Sequence, residues 1–187
     1  MKTLRLILGD QLHSGHSWFK SPQEDVIYLM AEMRQETDYV THHIQKVVAF
    51  FASMRKFADS LVKEGHQIRY FRINDPDNPQ QLPDLIRKLI REEDIGRFEY
   101  QWPDEYRLDE QLRKLCSDLQ IPSEACDSEH FYTDRNELSA FFRGKKQLLM
   151  ESFYRMMRKK HGVLMDGKQP LGGDWNYDDQ NRKKWKG

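Results

Sequence analysis

Apolar and polar positions along the chain follow two alternating periods. Short runs rich in β-branched and aromatic residues occur at 3–8 (TLRLIL), 26–31 (DVIYLM), 67–72 (QIRYFR) and 97–102 (RFEYQW), with a weaker one at 123–126 (SEAC). Each has strand length and is bounded by breakers. Between them the period changes to that of a helix. From about Tyr39 to Lys63, the residues Val40, Ile44, Val47, Phe51, Met54, Ala58 and Leu61 recur at three- and four-residue steps. That stripe predicts one long helix, with Asp38 as N-cap and Gly65 as its stop. Shorter stripes predict helices over 80–92 (Leu82, Leu85, Ile86, Leu89, Ile90) and 107–119 (Leu108, Leu112, Leu115). Strands alternating with helices imply an α/β fold: a Rossmann-like, doubly wound parallel sheet of five strands with helices on both faces. Right-handed crossovers then set the local topology.

After about residue 133 the alternation stops. Helices are predicted over 134–142 and 147–160 without an intervening strand, followed by an extended tail rich in glycine and polar residues. The organisation expected is an α/β domain over 1–133 and a helical extension and linker over 134–187. Trp175, Tyr177 and Trp185 are expected to be exposed in that tail, and aromatics of this size usually bury large areas. A further domain beyond residue 187 is therefore expected to cover them.

Composition changes this picture in two places. The net charge is zero, yet from Phe142 to the end there are twelve Lys/Arg against five Asp/Glu, an excess of +7 balanced by −7 in the rest of the chain. Such a block faces an anion, a nucleic acid or an acidic partner, or is simply a solvated helix face with a basic tail. Mean hydropathy is −0.87, and no apolar run is long enough to span a membrane as a helix. The N-terminus lacks the pattern of a secretory signal, so a cytoplasmic protein is expected. Cys116 and Cys126 are the only cysteines. Their spacing matches neither a redox pair nor a zinc knuckle, which leaves two reduced packing cysteines.

Candidate chemistry gathers at strand ends, where open parallel sheets bind ligands. The first strand stops at Gly9-Asp10-Gln11. Glycine permits close approach of the backbone, and Asp10 and Gln11 supply a charged acceptor and an amide. The several glycines of a dinucleotide fingerprint are missing, which argues against a pyrophosphate cradle and for a smaller, less charged ligand held by side chains. A plain polar turn is the alternative. After the second strand come Glu36 and then Tyr39, His43, Lys46 and Phe50, spaced to share one flank of the long helix. Together they can stack on and hydrogen-bond a planar heterocycle, or form an ordinary helix flank. The run Trp102 to Arg107 follows strand four and offers another wall of the same cleft, with Asp104 and Glu105 as carboxylates or helix caps. His13 and His16 are separated by a glycine that breaks a helix, and His42 and His43 point apart, so neither pair makes a metal site. No serine sits in a nucleophile elbow. Lys145 to Lys160 interleaves cations with Phe153, Tyr154, Met156 and Met157, a pattern shared by nucleic-acid surfaces and by buried helices.

The segments LILGDQL (6–12), HHIQKVVAFFASMRKF (42–57) and MESFYRMMRKKHGVLMDGKQPLGGDWNYDDQNRK (150–183) resemble the photolyase-related branch of the cryptochrome/photolyase family. More narrowly they are similar to its prokaryotic iron–sulfur group, with (6-4)-photolyase-like members. The resemblance covers essentially the whole chain but only the N-terminal part of the family architecture. It implies a Rossmann-like antenna domain that binds 6,7-dimethyl-8-ribityllumazine. By motif, Gly9, Asp10 and Gln11 would line the pocket from the first strand, and Glu36, Tyr39, His43, Lys46 and Phe50 from the long helix. The family's FAD, four-iron–four-sulfur cluster and DNA-lesion site belong to a C-terminal flavin domain, and two cysteines cannot hold a four-cysteine cluster. The implied role of this segment is to harvest light without covalent chemistry of its own. Its implied partners are that flavin domain and, through it, damaged DNA. Two other classes remain open on the residues: a nucleotide-handling enzyme using the same sheet edge, and a nucleic-acid or protein interaction module using the basic end.

Overall fold

The structure is a computed structural model that describes residues 1–178. The first unit, Met1–His130, contains the strands β1 (Lys2–Leu6), β2 (Val26–Ala31), β3 (Gln67–Phe71), β4 (Ile95–Gln101) and β5 (Ser123–Cys126). Its helices are α1 (Arg34–Thr37), α2 (Ile44–Lys63), α3 (Leu82–Glu92) and α4 (Tyr106–Asp118). The strands form one parallel sheet in the order β3-β2-β1-β4-β5. The predicted fold class is therefore the observed one.

Alternation along the strands sends side chains to opposite faces. Leu4 and Leu6 of β1, Ile27 and Leu29 of β2, and Phe98 and Tyr100 of β4 pack against Leu85, Ile86 and Leu89 of α3 and Leu112 and Leu115 of α4. On the other face, Ile7, Tyr28 and Met30 pack against Met54, Phe57, Ala58 and Leu61 of α2, with Trp18 and Phe19 closing the side. The interior strand β2, next to the central β1, is buried along nearly its whole length, as a parallel strand covered on both faces must be.

The long helix begins later than its apolar stripe predicts. Asp38 is the C-cap of the short helix α1, and α2 starts at Ile44 with His43 as N-cap. The His43 ring accepts a hydrogen bond from Gln45 N–H at 3.2 Å, satisfying one of the free donors at the helix start. Val40 and Ile44 are exposed, and within α2 the buried stripe is the one from Met54 onward. The helix stops as predicted, at Gly65 with φ +93°.

The carboxyl end of β2 is anchored by a buried acid. Glu32 is fully shielded and accepts from Arg55 Nε and Nη2 (2.6 and 2.8 Å), the Tyr70 hydroxyl (2.7 Å) and Ile73 N–H (3.1 Å). Burial alone disfavours its charge, but these donors outweigh that cost and hold its carboxyl below the ordinary range. The cluster binds the end of β2 to the middle of α2 and the end of β3, and so sets where α2 crosses the sheet.

The second unit starts at Phe131. It holds α5 (Glu137–Phe142), α6 (Met150–His161) and a two-stranded hairpin of β6 (Met165–Asp166) and β7 (Gln169–Pro170). Arg158 is buried and donates to the carbonyls of Val163 (3.2 Å) and Leu164. The expected exposure of Trp175 is not found: its ring is half-buried beside Arg155, Arg158 and Lys159, 5.2–5.5 Å from its centroid. Cation–π contact with the basic helix covers it locally. Tyr177 is exposed, and Trp185 lies outside the described residues.

Candidate functional site

In the first unit, β1 pairs with β2 on one side and β4 on the other, and the chain runs outward from β1 through β2 to β3 before crossing back to β4, so the strand order reverses beside β1. A crevice opens at such a reversal, beyond the strands' carboxyl ends. Here it is a cavity of about 260 Å³, at the small end for ligand pockets and matched to one ring system rather than a dinucleotide. Leu6, Ile7 and Leu8 from β1 and its continuation, Ala31 from β2 and Met33 just after it, and Leu82 and Leu108 at the starts of α3 and α4 supply an apolar interior. Val47, Phe50, Phe51 and Met54 form the side made by α2.

Gly9 is required by this packing. A Cβ built there would lie 2.3 Å from Cε1 of Phe50 and 2.9 Å from the sulfur of Met54. The Phe50 ring thus rests directly on the backbone after β1, a contact that any side chain at position 9 obstructs.

Polar groups are confined to the mouth. Asp10, Glu36, Lys46, Glu105 and Arg107 line it, together with Thr37, Tyr39 and His42. Arg107 forms a bidentate pair with Glu36 (2.9 and 3.4 Å) and lies 3.5 Å from Glu105. Its guanidinium stacks over the Tyr39 ring at 4.6 Å. Partial burial works against the Arg107 charge, but the bond to Glu36 outweighs it and raises its pKa. The Asp10 carboxyl is pushed above its ordinary range, chiefly by loss of hydration. A hydrogen bond to its own backbone N–H and the nearby His130 oppose this, while the charges of Asp104 and Glu36 add to it.

Six of the eight sequence-predicted site residues meet at this cavity: Gly9, Asp10, Glu36, Tyr39, Lys46 and Phe50. Two do not. Gln11 is buried, and its amide is consumed in holding the turn: Oε1 accepts from Leu8 N–H (3.0 Å) and Nε2 donates to the carbonyls of Gln101 (3.2 Å) and Trp102 (3.3 Å). It fastens the end of β1 to the end of β4. His43 is turned to its capping role, and His42 takes the place at the cavity, with Nδ1 3.2 Å from Lys46 Nζ. The predicted flank of Tyr39, His43, Lys46 and Phe50 fails because residues 39–43 precede the helix and do not share its phase. Arg107 was expected only as the end of the 102–107 run walling the cleft, with no role of its own, and it does line the cavity together with Glu105. Its only sequence signal was its place just after strand four, beside Glu105, which caps α4 by accepting from Arg107 and Leu108 N–H.

A family model described as deoxyribodipyrimidine photo-lyase-related protein matches residues 5–187. The chain belongs to this family. A (6-4) photolyase of Agrobacterium fabrum is 36% identical over 98% of the chain. The chain spans 36% of that relative's length. An uncharacterised protein of Acanthamoeba polyphaga mimivirus is 22% identical over 98% of the chain and 95% of its own length. This photolyase-related chain carries its cavity wholly within the first unit. No helix among its described residues is long and apolar enough to cross a membrane.

Proposed function

We propose that the first unit is the light-harvesting part of a photolyase-like protein of the iron–sulfur group. It binds 6,7-dimethyl-8-ribityllumazine, which when bound absorbs blue light and passes excitation to FAD held elsewhere in the whole protein. The observation that carries this reading is the cavity itself: one ring system in size, apolar within, polar at the rim, and placed at the reversal of strand order. Its donor set fits such a group. The close seating of Phe50 on Gly9 gives a flat aromatic wall, and the Asp10 carboxyl, exposed at the rim, supplies hydrogen bonding at the edge. The turn after β1 carries the single glycine Gly9, not the several glycines with which a pyrophosphate-binding turn approaches its ligand.

The chain's own residues then do physical work only. Phe50, Met54 and Leu108 exclude water, which quenches excited states and adds freedom of motion, and Asp10, Glu36 and Tyr39 orient the ring. FAD, the four-iron–four-sulfur cluster and damaged DNA are assigned in this reading to the whole protein, with lesion repair as its activity and the cytoplasm as its location.

The test is a fluorescence titration of the lumazine with the purified chain. Saturable quenching or a spectral shift at micromolar protein is expected, weakened about 10- to 100-fold in Asp10→Ala if one charge-assisted hydrogen bond to the ligand is lost. No saturable change up to millimolar protein refutes the reading.

A further inference from the structure

We infer that Glu36 sets the charge selectivity of the cavity: by occupying Arg107 it denies that cation to a ligand, so the cavity takes a neutral ligand in preference to its phosphorylated form. The inference rests on the proposed ring-binding role of the same site.

The formal charges at the mouth are Asp10, Glu36 and Glu105 against Lys46 and Arg107, an acidic excess of one. Arg107 is the residue whose planar fork would suit a phosphate. Both of its outer nitrogens, however, are engaged by Glu36, with Glu105 close behind. Its flat face is engaged by Tyr39. Lys46 is exposed and shares the rim with Asp10 and the ring of His42. An incoming phosphate therefore meets no guanidinium free to form a bidentate pair, and must lose hydration beside two carboxylates, Asp10 and Glu36. Removing the Glu36 charge changes both conditions. It lowers the negative field and leaves the Arg107 fork open, held at the site by Glu105 and Tyr39. Glu36 is about one-third exposed and lies in the single-turn helix α1, so its replacement by glutamine leaves the core intact.

The experiment compares the affinity of 6,7-dimethyl-8-ribityllumazine with that of its 5′-phosphate, which keeps the ring constant. The wild-type protein should prefer the neutral compound by about tenfold or more, the scale of one charge-assisted hydrogen bond. In Glu36→Gln that ratio should move toward the phosphate by about tenfold. The gain should vanish in the double variant Glu36→Gln/Arg107→Gln. A general loosening of the site would weaken both compounds alike and leave the ratio unchanged. Binding of neither compound by the wild-type protein overturns the ring-binding reading and this inference with it. Equal binding of both by the wild type, an unchanged ratio in Glu36→Gln, or a gain that survives loss of Arg107 overturns the charge filter alone.

Discussion

Replacement of Gly9 by alanine isolates the contact on which the cavity wall depends. The new methyl group would sit 2.3 and 2.8 Å from two carbons of the Phe50 ring and 2.9 Å from the Met54 sulfur. All three distances are well inside van der Waals contact, so something must move. Met54 is buried, with 2% of its surface exposed, whereas Phe50 is 40% exposed. The ring therefore yields first, swinging toward solvent. Overpacking a tight site costs about 1–3 kcal/mol, and the mobility of an exposed ring places this case near the low end, about 1 kcal/mol. For a chain of this size that corresponds to a melting temperature lower by about 2–4 °C. The effect on binding should be larger than the effect on stability, because the ring that moves is the cavity wall and the methyl enters the same space. Lumazine affinity should fall by at least about tenfold, the value of one lost apolar contact surface. Thermal melting by circular dichroism and a parallel fluorescence titration measure the two effects. Phe50→Leu supplies the control. Its smaller side chain should accommodate the methyl, so the melting cost of Gly9→Ala should shrink in that background, an interaction between neighbours that additive sites do not show. A Gly9→Ala protein with unchanged melting and unchanged affinity, or a cost that is the same with leucine at position 50, would refute the packing argument.

Two further perturbations test the electrostatics. Glu32→Gln removes the charge and replaces with a donor one of the two acceptor oxygens that serve Arg55, Tyr70 and Ile73; because Arg55 is 43% exposed and can turn to water, the expected cost is about 2 kcal/mol rather than the full value of a broken buried pair. The folded protein holds the Glu32 carboxyl below its ordinary range, so its stabilisation is present above the unfolded-state pKa and is lost as pH falls through the folded value. Urea melts should show the gap between wild type and variant closing on acidification, and a gap constant with pH would exclude the mechanism. Asp10→Asn has the opposite sign. The Asp10 carboxyl is pushed up on folding, so between its unfolded and folded pKa the native state binds more protons and stability declines as pH rises. The variant should melt higher than wild type at neutral pH while binding the lumazine more weakly, as expected where function is kept at some expense of stability. The melting advantage should disappear once pH is below the ordinary carboxylate range. Lower melting of Asp10→Asn at neutral pH would contradict this account.

Much of the architecture was legible in the residues alone, because periodicity is a local property. The five strand segments, the helices near 80–92 and 107–119, and the stop of the long helix at Gly65 all rest on side-chain alternation or on backbone freedom at one position. The placing of Gly9, Asp10 and Glu36 near a strand-end site also followed from position in the strand–helix alternation. Other features required the folded molecule, since they depend on contacts between distant residues or on a competition between local preferences. The stripe from Val40 could not show that Asp38 ends one helix and His43 begins another, and that five-residue difference in phase exchanges His42 for His43 at the cavity. Gln11 looked like a ligand group because nothing near it in sequence reveals acceptors some 90 positions away, at the end of β4. Arg107 reaches Glu36 across 71 positions only because β1 pairs with β4 and brings the start of α4 beside the end of α1. Local chemistry thus determined which elements form, while strand order, a choice made by long-range packing, decided which side chains share the cavity.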